Sequence, residues 1–266
     1  MPATEVDKAS ARDDSNDLAA YARSLAQEAS AQAHGGGATS SELPAALGGK
    51  PRAEWLRVLG VSDEPGLELR AERDLLGSGS LVVAVYRACE GCQELAKLNL
   101  RVFVLRERAG AFVRESSGRP RFASSMCPHD AGAPAGERSV ELRPHPFALA
   151  PGRAAFALQL RCEISWPSGS GLETHLFLFE PRGAALAQML TVLIDKRLHD
   201  RAGDIETVQR GELSPASTQH AGYLDLALRS TRERTKLSHD QTRAKRLDTT
   251  TSSAAYIWTG SQYIQK

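Results

Sequence analysis

The sequence has no apolar run approaching the ~20 residues that a membrane-spanning helix requires, so no span is predicted. It has little excess charge: 33 Lys and Arg against 32 Asp and Glu give a formal net charge of +1. A dedicated nucleic-acid-binding domain carries a strong basic excess, so that class is disfavoured, and no nucleic-acid motif is present. No glycine-rich phosphate loop follows a strand and opens a helix. Gly77-Ser78-Gly79 and Gly169-Ser170-Gly171 imitate a nucleophile elbow only in composition, and both read as turns between strands. No cofactor is implied. The start, MPATEVDKASARDDSND, is polar and acidic where a signal peptide is basic and then apolar.

Cysteine is scarce, with four residues at Cys89, Cys92, Cys127 and Cys162. Cys89-Glu90-Gly91-Cys92 has the spacing of a chelating or redox pair, and Cys127 with His129 would complete a three-cysteine, one-histidine zinc set. An even count equally fits disulfides, with Cys89 or Cys92 bridging to Cys127 and Cys162 left as a buried thiol within a strand. Disulfides would place the protein in the periplasm or outside the cell if a signal peptide precedes this sequence, and otherwise the cytoplasm is expected. The few methionines and many Ala, Gly and Arg suggest a GC-rich bacterial source.

What is abundant is strand-forming pattern. Residues 1–42 read as a low-complexity tail, helix-prone from Leu18 to Ala33 and ended by Gly35-Gly36-Gly37. Residues 43–66 form a short cap, with a helix over Arg52–Leu59 anchored by Trp55, Leu56 and Leu59 and stopped by Gly60. From residue 67 onward the chain is mainly β and falls into three similar four-stranded antiparallel units, about 67–139, 140–204 and 205–266, like meanders or propeller blades. In Leu81–Arg87 both alternating faces are apolar, and the same holds for His175–Glu180, so these strands belong between two covering layers. Turns are expected at Ala150–Gly152 and over Ser214–Gly222. The ending YIW-TGS-QYI predicts an aromatic hairpin with Trp258 packed on the sheet.

One charge run stands out, Arg229 to Arg246. Within it Arg232, Arg234, Lys236, Arg243, Lys245 and Arg246 make a candidate anion-binding surface for an anionic polymer or another protein. The competing reading is a solvated edge whose charges prevent aggregation. The dipeptides His129-Asp130, His199-Asp200 and His239-Asp240 lack the spacing of a metal-dependent phosphohydrolase. The expectation is a non-catalytic β-rich binding or structural module, placed outside the cytoplasm. The alternatives are a hydrolase with its site on inter-strand loops, or a metal or redox protein built on Cys89, Cys92, Cys127 and His129.

Overall fold

A computed structural model describes residues 51–88, 94–128, 137–143, 146–238 and 244–266. The predicted tail 1–42 lies outside them, as do Cys89, Cys92, His129 and Arg243. The chain is mainly β with one short helix, α1 (Arg52–Leu59). That helix has the predicted bounds because its apolar residues Trp55, Leu56 and Leu59 fall on one stripe, and all three are buried. Gly60 ends it in the left-handed region at φ 67°, where its amide donates back to the carbonyls of Arg57 and Leu56.

Thirteen strands follow: β1 Leu67–Arg73, β2 Ser80–Arg87, β3 Arg101–Arg108, β4 Ala111–Gly118, β5 Arg138–Leu142, β6 Phe147–Ala150, β7 Arg153–Trp166, β8 Gly169–Arg182, β9 Ala185–Asp200, β10 Ile205–His220, β11 Tyr223–Leu237, β12 Ala244–Trp258 and β13 Tyr263–Gln265. They share one open sheet. β1 to β4 form an antiparallel meander that touches the rest through a parallel bridge from Ser117 to Ala185 of β9. β7, β8 and β9 pair along their lengths, with β5 and β6 on the outer edge of β7. β9 then leads through β10, β11 and β12 to β13. Among the described residues, no helix is long and apolar enough to cross a membrane.

The sheet folds over itself into layers. α1 packs on the outer face of β1–β4, with Trp55 against Phe112 at 5.4 Å between ring centroids. The inner face of that meander, Val82, Ala84, Tyr86, Val102 and Val104, meets one face of β7 and β8 through Phe156, Leu158, Leu160, Phe177 and Phe179. The opposite face of β7–β9 presents Leu176, Leu178, Leu190 and Val192 to Leu213, Leu226, Leu228, Tyr256 and Trp258 of the last strands. β2 and β8 are therefore covered on both sides, as their two apolar faces require.

The last two layers separate at a fork. β9 and β10 pair only from Asp195–Asp200 to Ile205–Arg210. Beyond it, β9 stays with β8 while β10 stays with β11, and the two sheets close over the core just described. On the far side of the fork, β7 to β12 continue as a single layer. There residues 205–212 and 244–253 are at best half-buried. Strands of 16 residues, such as β9 and β10, are long enough at ~3.3 Å per residue to serve both parts.

Three details depart from the sequence reading. Ser214–His220 is strand rather than turn, with the reversal confined to Ala221-Gly222. Gly169-Ser170-Gly171 lies inside β8, where small residues are needed: a Cβ on Gly171 would sit 2.5 Å from the Arg197 carbonyl oxygen. Cys162 is not a free thiol. It pairs with Cys127, the residue expected to bridge to Cys89 or Cys92, and their Cα atoms are 5.7 Å apart.

Candidate functional site: a charged face continuous with a buried row

Cross-strand register decides which charged residues meet, because directly opposed residues and those two apart along a strand share a face. Arg138 of β5 lies opposite Cys162 of β7, which lies opposite Glu173 of β8, which lies opposite Lys196 of β9. Lys196 faces Gln209, and Gln209 faces Arg232. One row thus runs from a buried arginine past the disulfide to an exposed arginine.

The inner end of this row is a closed polar cluster. Glu173 is buried, and its two carboxylate oxygens accept hydrogen bonds from His175 Nε2 at 3.1 Å and Lys196 Nζ at 2.8 Å. Burial alone would raise its pKa, but the hydrogen bonds and charges of His175 and Lys196 outweigh that and hold it down at about 2. Burial also lowers the pKa of the Arg138 guanidinium, which donates to the Glu94 carbonyl. A carboxylate satisfied on both oxygens is a structural ion pair and no poised base.

Glu173 carries a testable pH dependence. An ordinary glutamate titrates near 4.5 and this one near 2. The stabilisation is therefore fully present above about pH 4.5 and disappears as pH falls through about 2. Glu173→Gln should lower stability by on the order of 2–3 kcal/mol at pH 7. The gap between the thermal melts of the two proteins should shrink steadily as pH falls from about 4.5 and close near pH 2, and a gap that stays constant down to pH 2 would refute the assignment.

A second buried carboxylate closes the other end of the layered body. Glu180 accepts from Tyr223 Oη at 3.0 Å and Arg182 Nε at 2.8 Å, and it pairs with Arg153 at 3.4 Å. Arg153 also bonds the Tyr223 hydroxyl and stands over its ring, while Arg182 stands over Trp258. Tyr223 stacks on Trp258 at 4.6 Å and Tyr263 meets Trp258 at a tilt at 5.2 Å, so the aromatic hairpin packs on the sheet as predicted. Asp225 is buried and accepts hydrogen bonds from Thr218 at 2.6 Å and His220 at 2.7 Å.

The outer end of the row is the predicted basic segment. Residues 232 to 248 span the ends of β11 and β12, and register sorts their charges by face. Arg232, Arg234 and Lys236 share one face, with Lys245 directly opposite Lys236 and Asp248 opposite Arg234. Arg234 is paired with Asp248 at 3.1 Å. Arg246 lies on the other face, paired with Glu233 at 3.0 Å. Arg232, Lys236 and Lys245 are exposed, and among the described residues none has an ion-pair partner. Lys236 and Lys245 are like charges at positions whose Cβ atoms are ~5 Å apart in regular antiparallel sheet, an arrangement that costs stability.

A cleft of about 420 Å³ opens at the fork, lined by Thr191, Val192, Gln209, Leu228, Ser230, Ser252 and Tyr256 among others. None of its lining residues is a carboxylate, an imidazole or an amine. Among the described residues no three His, Cys, Asp or Glu side chains are grouped to hold a metal ion. Cys127, spent in the pairing with Cys162, has no thiolate to offer zinc, while Cys89, Cys92 and His129 fall outside the described residues. Sequence reading missed Glu173, Glu180 and Asp225, since each is identified only by partners on other strands. Comparison with protein-family models, curated proteins and solved structures finds no match to this chain.

Proposed function

We propose that this protein is a non-catalytic binding module that holds an anionic polymer against the single-layer part of its sheet. The observation that supports it most is the Lys236–Lys245 pair. Two exposed ammonium groups are set side by side with Arg232 on the same face, and among the described residues no carboxylate is ion-paired with any of the three. A sheet tolerates such repulsion where the charges serve an external anion. The Cys127–Cys162 pairing supports an oxidising, extracytoplasmic setting.

Heparin serves as the probe. Binding should weaken with rising salt, because each contact releases counterions. Replacing Arg232, Lys236 and Lys245 together with serine should weaken it by about tenfold or more and flatten the salt dependence. Arg246→Ser, on the other face, should leave it unchanged. Equal binding by the triple variant would reject the proposal.

Stability and binding should move in opposite directions at Lys236. Lys236→Glu replaces a cross-strand repulsion with an attraction to Lys245, so it should stabilise the fold by about 0.2–1 kcal/mol while heparin affinity falls. Denaturant titration and a binding isotherm on the same variant test both halves.

A further inference from the structure

We propose that the open edge of β12 is a self-association surface, pairing antiparallel with β12 of a second copy to join the two single layers into one sheet. On one side β12 pairs with β11 from Ala244 to Tyr256. On the other side β13 covers only Tyr256 to Trp258, and Lys266 adds one amide to the Ala255 carbonyl. Among the described residues, no backbone partner occupies the outer edge from Ala244 to Ala254.

Natural sheets guard such edges with charge, proline, bulges or covering elements. Here the guards stand only at the two ends. Lys245, Arg246, Asp248 and a register irregularity between Asp248 and Arg246 mark one end, and β13 caps the other. Between them runs Thr249-Thr250-Thr251-Ser252-Ser253-Ala254, uncharged, free of proline and exposed except at Ala254.

The composition fits the same segment of another copy. A twofold axis through Thr250 sets Thr249 opposite Thr251 and Asp248 opposite Ser252, so hydroxyl side chains meet one another and no like charges are opposed. At this register pairing ends where Arg246 meets Ala254, and Lys245 lies just past that end, opposite Ala255, where it meets no second cation. Leu247, at the irregularity, is 43% exposed and flanks one end of the open edge.

The test uses the full chain. Sedimentation equilibrium should give a species of twice the chain mass at high concentration. Cysteine placed singly by Thr249→Cys, Thr250→Cys or Thr251→Cys should give a covalent dimer on mild oxidation at the one position lying on the twofold axis. Thr231→Cys, equally exposed but on the inner strand β11, should not. The double variant Thr250→Lys/Ser252→Lys should sediment as a monomer with an unchanged circular-dichroism spectrum. A wild-type monomer at every concentration overturns the proposal, as does a dimer that none of the three cysteines traps. If the lysine variant fails to fold, the cysteine series decides alone.

Discussion

Replacing Cys127 and Cys162 with alanine lowers the melting temperature by roughly 8–15 °C, the largest stability change expected from one pair of side chains here. The two residues are 35 apart in sequence, and closing a loop of that length in the unfolded chain corresponds to roughly 4 kcal/mol in the chain-entropy account. Each kilocalorie shifts the midpoint of a domain this size by roughly 2–4 °C. The bridge ties the connection between β4 and β5 to the middle of β7. Met126, Cys127 and Phe122 of that connection cover the core face holding Val140, Leu160 and Phe177, with Phe122 set edge-on to Phe177 at 5.8 Å. Wild-type protein in reductant should melt near the double variant. Thiol titration of the unreduced, denatured protein should find neither Cys127 nor Cys162 reactive. A double variant that melts within 2–3 °C of wild type, about 1 kcal/mol, would show that the pairing contributes little.

The same residues mark where sequence reading stopped. The bounds of α1, the double-sided burial of β2 and β8 and the aromatic hairpin at Trp258 are local patterns, and each was legible because the residues that decide it lie within a few positions. Cys127 and Cys162 could not be matched that way, since connectivity depends on which connection lies over which strand. Ser214-Pro215-Ala216-Ser217 reads as a turn because its residues favour turns. The structure absorbs it into β10 through a shift in register between Pro215 and Gln219, where the missing proline donor is tolerated. The run HLFLFE looked wholly apolar in its interior, yet its terminal Glu180 is held by Arg153 and Tyr223, 27 and 43 residues away. The basic segment was visible as composition. Its division into a matched face at Arg246 and an unmatched one at Lys236 and Lys245 was not, because one irregularity near Leu247 sets the register that divides it.

Gly211→Val should cost roughly 3 kcal/mol, because Gly211 stands where β10 lifts away from β9. A Cβ there would lie 2.7 Å from the carbonyl oxygen of Ile194, 3.1 Å from Leu228 Cδ1 and 3.2 Å from Ser230 Oγ. The first contact is with backbone, so no rotamer change relieves it, and the two strands must move apart. They are not free to do so. The Gly211 amide donates to the Asp195 carboxylate at 3.4 Å across the fork, and beyond it Ile194, Leu213 and Leu228 already belong to one buried cluster. Overpacking at such a point typically costs 1–3 kcal/mol, and a β-branched side chain sits at the upper end. Gly211→Ala should be intermediate, since it adds the clashing carbon without the two methyls. Gln209→Val, two residues earlier on the same face, should shift stability by less than about 0.5 kcal/mol, because that position opens on the cleft. Chemical denaturation of the three variants orders them. If Gly211→Val unfolds no more easily than Gln209→Val, the strands at the fork are free to separate and the close approach to Ile194 is not what holds the layers together.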